Sequence, residues 1–486
     1  MTDVDPSPAT TPGAAGIDRP SSSGLTADDL VRLTGGRLVA RSDRPILGAA
    51  VDSRLVEPGQ LFVALPGERT DGHAYLAEAI VRGAAAVLVA RPIGAGVALG
   101  DVTAVRVADP LAALGAVAAG WRRRFDPLVV GVTGSIAKTS TKEAIAAVLG
   151  RRFRTLRNEG NQNNEVGLPL TVLRIRPEHE AAVLEMGMYV GGEIADLARI
   201  ARPRIGVVTA VQAVHLSRIG SLKAIEQAKG ELLEALPRDG LAVLNADDPI
   251  VREMGHRSAA PAVRYGFADD ADIGAEAVES LGLDGMRFTL RTDRGRRTVR
   301  IPVLGRLSVH NALAGAAVGL AAGMTLDEIA TGLADGWSAP HRVAVVRLGG
   351  VTIVDDTYNA SPRSVIAALD LLADLPGRRA AVLGEMLELG ESSDEGHREV
   401  GEAAAGTVDW LMVVGSGAAG IAEGAEAAGM AGTAILRARD ADAALAALAP
   451  RLRDGDVVLV KASRGVALDT VVDGLRRELG GGRSPR

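Results

Sequence analysis

The chain has 486 residues, of which 47% are hydrophobic, and a formal net charge of −6 at pH 7. It is too long for a single hydrophobic core, so two to four domains are expected, and its acidic balance argues against a nucleic-acid-binding protein, which needs a broad basic face. Because the sequence contains no cysteine, disulfides and thiolate metal sites are excluded.

Four segments are predicted in chain order. Residues 1–22, rich in Pro, Ser and Thr, are expected to be a disordered tail. Residues 23–126 are predicted to form a small α/β unit. Apolar strands alternate with helical stretches over 127–338, which indicates a doubly wound, mostly parallel sheet, and the pattern restarts as a further α/β domain over 339–486. The predicted strands of these two domains are Leu128–Val132, Ala181–Leu184, Ile205–Val208, Leu241–Leu244, Val351–Val354, Ala380–Leu383, Leu411–Val414 and Val457–Val460.

No segment is expected to be a membrane span or a signal peptide. The longest apolar run, Ala312–Met324, is too short and too rich in Gly and Ala to cross a bilayer. The N-terminus carries Asp3 and Asp5 and lacks the apolar centre of a signal peptide. The sequence therefore predicts a soluble, cytoplasmic enzyme.

Lysine and asparagine are both rare, and their positions are informative. Only five of the 54 basic residues are lysine, and four of the seven asparagines lie within residues 158–164. Codon bias toward arginine accounts for Lys142 and Lys223, but lysine persists where a flexible ammonium or a nucleophilic amine is needed. Lys138 is such a position, because it lies inside a phosphate-binding pattern.

This pattern, Gly131–Ser140, follows an apolar strand and opens the predicted helix Thr141–Leu149. Backbone amides of such a loop point at phosphate oxygens, while Lys138 would reach the β- and γ-phosphates and the Thr139 hydroxyl would hold Mg²⁺. Ala137 stands where glycine is usual, a substitution that costs on the order of 1 kcal/mol if φ is positive. An ordinary strand-to-helix turn is the alternative interpretation.

Polar residues also follow the next predicted elements. The Asn-rich block Asn158–Pro169 is by default a turn. Glu185 and His215 each follow a predicted strand, at the sheet edge where doubly wound folds bind ligands, and Lys229 lies in the predicted helix Ser221–Leu236. A helix cap, a loop histidine and a solvated lysine are the alternatives for these three residues. Together with the phosphate loop they indicate a metal site.

These motifs resemble those of the Mur ligases, and most closely those of the branch that adds D-alanyl-D-alanine. The resemblance covers the chain from about residue 25 onward and implies three domains: an N-terminal UDP-sugar-binding unit, a central P-loop ATPase and a C-terminal Rossmann-like domain. It rests on the segments Gly134–Ser140, Asn161–Pro169, Glu185–Gly187, Ala228–Glu231, Asn311–Ala314, Asp355–Pro362, Leu383–Met386 and Lys461–Arg464.

The resemblance implies a reaction. ATP would phosphorylate the terminal carboxylate of a UDP-MurNAc-tripeptide, and the D-Ala-D-Ala amine would attack the acyl phosphate, in peptidoglycan precursor synthesis by a monomer. Two Mg²⁺ ions are expected, the first served by Thr139 and Glu185 and the second by His215 and a carbamylated Lys229. Lys138, Lys229 and His215 would be catalytic. The remaining ATP-binding residues would be Gly134, Ser135, Ile136, Ala137, Ser140, Asn311, Arg342 and Asp356. The substrate-binding residues would be Ser53, Arg54, Asp71, His73, Asn161, Asn163, Asn164, Tyr358, Asn359, Lys461, Ser463 and Arg464.

The chain departs from the family pattern at several positions. Ala137 and Ala462 replace glycines, Ile136 replaces a polar residue, Ser361 replaces an asparagine, and residues 307–308 (Leu-Ser) replace a His-Asn pair. These departures concern the nucleotide loop and the adenine site more than the reaction.

Two alternatives are another ligase of this fold, adding diaminopimelate or lysine or resembling folylpolyglutamate synthase, and a non-catalytic nucleotide-binding protein. The sequence lacks the Asp-Asn-Pro-Arg motif of the diaminopimelate-adding branch. The joint presence of Thr139, Glu185, His215 and Lys229 argues against a loss of catalysis.

Overall fold

The computed structural model describes residues 24–67, 70–212 and 221–480. Contacts divide the chain into two compact units, Met1–Val107 and Ala108–Arg486. The first unit contains a five-stranded sheet, and the second contains a nine-stranded and a six-stranded sheet. Within the described ranges, no helix is both long enough and apolar enough to cross a membrane. The predicted tail and His215 lie outside the described residues.

The sheet of the first unit is mixed. Strand β1 pairs with β5 in antiparallel fashion, and the other neighbours are parallel. Helix α1 begins with a capping box, in which the side chains of Thr26 and Asp29 each accept a hydrogen bond from the other's backbone N–H. In spatial order the strands are β1 (Arg37–Ala40), β5 (Thr103–Arg106), β4 (Ala86–Val89), β3 (Leu61–Val63) and β2 (Ala49–Ala50), and the helices are α1 (Ala27–Thr34) and α2 (Leu76–Val81).

The nine-stranded sheet of the second unit is parallel except near one edge, where β13 runs antiparallel to both of its neighbours, β12 and β14. Its spatial order is β14-β13-β12-β11-β10-β9-β6-β8-β7. The strands are β6 (Leu128–Thr133), β7 (Thr155–Arg157), β8 (Ala181–Glu185), β9 (Ile205–Val208), β10 (Leu241–Asn245), β11 (Ala262–Gly266), β12 (Ile273–Ser280), β13 (Met286–Thr292) and β14 (Gly295–Ile301). The winding reverses at β6, which lies between β8 and β9, and ligands of such folds bind outside the carboxyl ends of the strands at this reversal.

Helices cover both faces of this sheet, so its central strands are buried and read as continuous apolar runs. The apolar run from Ala312 is buried in helix α9 as far as Leu320, and a Cβ at Gly319 would stand 2.8 Å from a methyl of Val148. Small residues therefore allow α9 to approach α4 closely. The helices are α3 (Pro110–Arg122), α4 (Lys138–Gly150), α5 (Gly167–Val172), α6 (Glu193–Ala201), α7 (Leu222–Glu234), α8 (Pro249–Glu253), α9 (Arg306–Ala321) and α10 (Leu326–Ala334).

The six-stranded sheet has the spatial order β15-β16-β20-β17-β18-β19, and only β15 is antiparallel to its neighbour. Buried apolar clusters lie on both of its faces. The strands are β15 (Ala344–Leu348), β16 (Val351–Asp355), β17 (Arg378–Gly384), β18 (Trp410–Val414), β19 (Ile435–Ala438) and β20 (Asp456–Lys461). The helices are α11 (Pro362–Ala373), α12 (Ser393–Ala405), α13 (Ala419–Ala427), α14 (Ala441–Leu448) and α15 (Asp469–Gly480).

The predicted α/β class and all eight predicted strands are confirmed, and most of the observed strands extend a little further. Three polar residues, Glu185, Asp355 and Lys461, are the last residues of their strands, because backbone pairing continues beyond the apolar run. Helix α3 packs on α5 and α6 and so belongs to the second unit by its contacts. The domain boundaries at residues 126 and 338 stay predictions.

Candidate active site

The carboxyl ends of the nine-stranded and six-stranded sheets border one cavity of about 1370 Å³. Thr139 and Lys229 are buried, at 8% and 4% exposure, and Gly134 packs against β9. The predicted residues that line the cavity are Ser135, Ile136, Ala137, Lys138, Ser140, Asn161, Asn163, Asn164, Glu185, Asn311, Arg342, Asp356, Tyr358, Asn359, Lys461, Ser463 and Arg464.

The phosphate loop between β6 and α4 is fastened to the carboxyl end of β9. The Ser135 backbone N–H donates to the Ala210 carbonyl at 2.8 Å, and the Thr209 hydroxyl donates to the Ile136 carbonyl at 2.6 Å. A Cβ at Gly134 would collide with the Thr209 hydroxyl, so only glycine fits there. The loop is therefore held in one conformation.

Ala137 occupies the left-handed region, with φ 63° and ψ 0°, at the N-cap of α4. The condition under which alanine was expected to be unfavourable is thus met, and the strain costs on the order of 1 kcal/mol. In exchange, α4 begins directly at Lys138, and a helix N-terminus favours a bound anion.

The Lys138 side chain folds back over the loop. Its Nζ donates to the Gly134 carbonyl at 2.8 Å and to the Ser135 carbonyl at 3.4 Å. Burial lowers the pKa of Lys138, the Glu185 carboxylate opposes this shift, and the Arg342 guanidinium reinforces it. Among the described residues no carboxylate lies within ion-pair distance of Lys138, so this side chain is available to phosphate charge.

Glu185, the last residue of β8, is 2% exposed. Its Oε1 accepts a hydrogen bond from Asn163 Nδ2 at 2.7 Å, whereas its buried Oε2 has no hydrogen-bond partner among the described residues. A buried carboxylate oxygen without a partner is costly, and oxygen ligands of this kind are what Mg²⁺ prefers. The residue therefore fits the predicted metal ion.

The rest of the predicted metal site is only partly described. Within the ranges that the structure covers, no three His, Asp or Glu side chains lie close enough together to hold a metal ion. His215, the predicted histidine ligand, falls in the segment outside those ranges.

Lys229 lies in α7 with no hydrogen-bond partner for its amine among the described residues. Burial lowers the pKa of this amine well below its ordinary value, and the nearby Lys138 charge adds to the effect. The neighbouring Glu231 instead caps α6, accepting from the backbone N–H of Gly192 at 2.7 Å and of Ala195 at 3.0 Å. The neutral amine of Lys229 is thus favoured, and its role is not explained by packing.

The Asn-rich block is anchored by a lysine that the sequence analysis assigned to codon bias. Lys142 is fully buried, and its Nζ donates to the Asn158 carbonyl at 2.6 Å and lies 3.0 Å from Glu143 Oε1. The Asn158 side chain accepts from the Glu185 backbone N–H at 2.9 Å and donates to the Glu185 carbonyl at 3.1 Å. The Asn-rich block therefore supports Glu185. The rarity of lysine in the sequence is the signal that could have identified Lys142 as part of this support.

One corner of the cavity was not predicted. Asn311, whose Oδ1 accepts from the Thr141 hydroxyl at 2.9 Å, adjoins an aromatic group in which Phe267 and His310 meet edge to face at 4.7 Å. The Arg306 guanidinium lies 4.5 Å from the Phe267 ring centre. Phe267 lies 39 residues before Arg306 and 43 residues before His310 in the sequence, so no local motif reveals this group.

The C-terminal motifs engage one another. Lys461 Nζ lies 2.5 Å from Asp356 Oδ2 and donates to the Asn359 carbonyl at 2.8 Å. The Ser463 hydroxyl accepts from the Leu387 backbone N–H at 2.9 Å. Lys461 and Ser463, predicted to contact ligands, therefore hold the loops that form this wall of the cavity.

Two guanidiniums share the Tyr358 ring. The guanidinium carbon of Arg342 lies 4.1 Å from the ring centre, and that of Arg464 lies 5.2 Å from it. Among the described residues, no carboxylate lies within ion-pair distance of either arginine. Both cations are therefore available to an anionic ligand.

The four residues predicted to contact a UDP-sugar lie in the first unit and have partners there. Arg54 pairs with Asp52 at 2.7 Å, His73 Nδ1 lies 2.7 Å from Asp71, and Ser53 donates to a glutamate of α2 at 2.7 Å. Their predicted role is not tested by these contacts.

The remaining departures from the family pattern are accommodated locally. Ala462 is fully buried and does not have a positive φ. Ser361 is the N-cap of α11, and Ser308 donates to the Gly305 carbonyl at the start of α9. Leu307 lines the cavity.

Comparisons with known proteins agree with this arrangement. Three family models match: the Mur ligase family catalytic domain over residues 45–122, the Mur ligase middle domain over 132–319, and the Mur ligase glutamate ligase domain over 341–464.

Two relatives are UDP-N-acetylmuramoyl-tripeptide–D-alanyl-D-alanine ligases. The one from Escherichia coli (strain K12) is 38% identical over 399 residues, 80% of this chain and 86% of the relative. The one from Mycobacterium tuberculosis (strain ATCC 25618 / H37Rv) is 39% identical over 414 residues, 78% of this chain and 81% of the relative.

Two solved structures share the fold. MurF from Acinetobacter baumannii superposes with a TM-score of 0.83 at 30% identity, covering 93% of this chain and 99% of that one. MurF ligase from Thermotoga maritima in complex with ADP gives a TM-score of 0.78 at 31% identity, covering 89% and 98%. The chain belongs to the Mur ligase family.

Proposed function

We propose that this chain is an ATP-dependent ligase that joins D-alanyl-D-alanine to a UDP-MurNAc-tripeptide in peptidoglycan precursor synthesis. Its relatives from E. coli and M. tuberculosis are named for this reaction. The observation that carries the proposal is that the phosphate loop, the Asn-rich block and the unpaired oxygen of Glu185 meet in one cavity. The enzyme works as a cytoplasmic monomer with domains at 23–126, 127–338 and 339–486.

The reaction has two steps. A carboxylate oxygen of the tripeptide attacks the γ-phosphorus of ATP and ADP leaves, which produces an acyl phosphate. The D-Ala-D-Ala amine then attacks the acyl carbon, the amide bond forms, and phosphate and a proton leave. Bringing two anions together is the main electrostatic obstacle, which Lys138 and the amides of residues 134–140 offset.

Mg²⁺ fits this site because Glu185 keeps a buried oxygen without a partner. Thr139 and Glu185 would hold the first ion, and His215 with Lys229 the second. The bound ions supply charge neutralisation for phosphoryl transfer. Lys229 takes part as a carbamate: its neutral amine attacks CO₂, a proton leaves, and the new carboxylate would hold the second ion together with His215.

The other residues bind or position the substrates. Asn311 contacts adenine and Arg342 a phosphate of the nucleotide, while Asp356 is oriented toward it by Lys461. Asn161, Asn163 and Asn164 lie along the tripeptide end of the site. The uridine end of the substrate is bound by the first unit through Ser53, Arg54, Asp71 and His73.

Phosphate release provides the test. The enzyme should release phosphate from ATP only when UDP-MurNAc-tripeptide and D-Ala-D-Ala are both present, and amide product should form in equal amount. The comparison assay supplies the dipeptide precursor with free diaminopimelate or lysine. Equal or faster turnover in that assay would overturn the proposal in favour of another ligase of the fold, and no turnover with any acceptor would favour a binding protein.

A further inference from the structure

The acceptor of the proposed reaction carries a charge that the chemistry does not consume. D-Ala-D-Ala reacts through its amine, and its terminal carboxylate remains an anion throughout. An ionised carboxylate in a protein cavity without a cationic partner is strongly disfavoured. A cation of the cavity should therefore bind this carboxylate. This inference rests on the proposed function, which supplies D-Ala-D-Ala as the acceptor.

The cations that line the cavity are Lys138, Arg306, Arg342, Lys461 and Arg464. Lys461 already pairs with the Asp356 carboxylate at 2.5 Å. Lys138 folds over the phosphate loop. Arg306 stacks on Phe267, beside Asn311. Lys461 is therefore engaged by a neighbouring carboxylate, Lys138 by the phosphates of the nucleotide, and Arg306 by the aromatic group beside the proposed adenine contact.

Arg342 and Arg464 remain, and their positions differ. Arg342 is the cation assigned to a nucleotide phosphate under the proposed function. Arg464 follows β20, and its guanidinium carbon lies 5.2 Å from the Tyr358 ring centre, against 4.1 Å for Arg342. Arg464 is therefore the cavity cation that is engaged neither by the nucleotide nor by a carboxylate of the described residues.

The surroundings of Arg464 suit recognition of a small anion. Its backbone belongs to a fixed loop after β20, where the Ser463 backbone N–H donates to the Glu385 carbonyl at 3.0 Å and the Ala467 N–H donates to the Arg464 carbonyl at 3.1 Å. The side chain is exposed, stacks on Tyr358 and has no carboxylate partner among the described residues. A planar guanidinium held in this way can bind a carboxylate through two parallel hydrogen bonds.

We propose that Arg464 is the residue that binds the terminal carboxylate of the acceptor, with Tyr358 as the surface that orients its guanidinium. The ligand class is a short peptide with a free C-terminal carboxylate. A dipeptide spans roughly 7 Å when extended, so the carboxylate of the acceptor would be bound at about that distance from its reacting amine. Arg464 selects the acceptor, whereas Lys461 and Ser463 position the loop.

The test removes the charge from each partner in turn. KM and kcat are measured for D-Ala-D-Ala and for D-alanyl-D-alaninamide, which lacks the carboxylate, with wild type and with Arg464→Met, which keeps the apolar stem. The control is Arg347→Met, an exposed arginine of β15 outside the cavity lining. Wild type and the control should show a KM for the amide roughly 10- to 100-fold above that for D-Ala-D-Ala.

Arg464→Met should raise the KM for D-Ala-D-Ala by a similar factor and should treat the two acceptors alike, with the ATP KM unchanged. If Arg464→Met still discriminates against the amide as wild type does, the carboxylate is bound elsewhere and the inference is wrong. That outcome leaves the proposed function intact, because wild-type turnover with D-Ala-D-Ala is recorded in the same series. Absence of that turnover would instead sink the proposed function.

Discussion

At the scale of single residues, two effects of opposite sign meet at Ala137. Its positive φ costs about 1 kcal/mol relative to glycine, but glycine would raise the conformational entropy of the unfolded chain by about 0.4–1 kcal/mol. We therefore expect Ala137→Gly to change the free energy of unfolding by less than about 1 kcal/mol and to retain wild-type turnover. Urea unfolding and steady-state kinetics check this, and a severe loss of activity would show that the alanine methyl has a role in the loop.

Substitution of Lys229 should change the stability and the activity of the protein in opposite directions. Its side chain is 4% exposed, and burial lowers the pKa of its amine. In buffer free of CO₂ and Mg²⁺, Lys229→Met should be more stable than wild type by about 1–3 kcal/mol, because a desolvated ionisable group is replaced by an apolar one. Assayed with Mg²⁺ and bicarbonate, the variant should be inactive. Lys223→Met, on the exposed side of the same helix, is the matched control and should keep activity.

The pH dependence of the free energy of unfolding tests why Lys229→Met should be more stable than wild type. Between the lowered folded pKa of Lys229 and its ordinary value of 10.5, the unfolded chain binds a proton that the folded chain does not, so wild-type stability rises with pH. The advantage of Lys229→Met should therefore shrink as pH rises toward 10.5. Thermal unfolding across this range measures it, and a variant less stable than wild type at every pH would mean that the amine is satisfied in the folded protein.

At the scale of elements, Lys142 couples α4 to the Asn-rich block. Replacing it by Met leaves the Asn158 carbonyl without a donor and removes one of two cations beside Glu143, whose pair with Arg157 at 2.6 Å remains. A buried polar group left without a partner costs about 1–3 kcal/mol. Because Asn158 and Asn163 hold Glu185, Lys142→Met should also raise the Mg²⁺ concentration needed for half-maximal activity. Urea unfolding and Mg²⁺ titration measure the two effects.

The control for this variant is Arg151→Met, an exposed residue just beyond the end of α4, which should match wild type in both assays. A Lys142→Met protein of normal stability with a normal Mg²⁺ requirement would show that the block holds its shape without the lysine.

The elements that the sequence predicted well are those whose signal is local. Strands buried on both faces appear as unbroken apolar runs, and the phosphate loop appears as a glycine pattern between a strand and a helix. The pairing of Lys461 with Asp356 and the meeting of Phe267 with His310 depend on contacts between distant parts of the chain. No periodicity encodes such contacts, so the sequence indicates Lys461 as a ligand-binding residue but does not reveal its contact with Asp356.

At the scale of the molecule, the two sheets of the second unit contribute complementary halves of one cavity. The nine-stranded sheet supplies the phosphate loop and Glu185, whereas the six-stranded sheet supplies Tyr358, Arg464 and the Asp356–Lys461 pair. A ligand that fills the cavity must therefore contact both halves, and neither half alone carries the full set of cations.

This division predicts how nucleotide binding spreads through the chain. At an ADP concentration 100 times its Kd, in the presence of Mg²⁺, binding should add about 2.7 kcal/mol to the stability of the segments that it couples. Amide hydrogen exchange should slow together in residues 134–140 and 356–361, while the strands of the first unit should exchange as before. Lys138→Met, which weakens phosphate binding, should lose the protection in both segments at once. Protection confined to residues 134–140 would mean that the six-stranded sheet does not take part in binding the nucleotide.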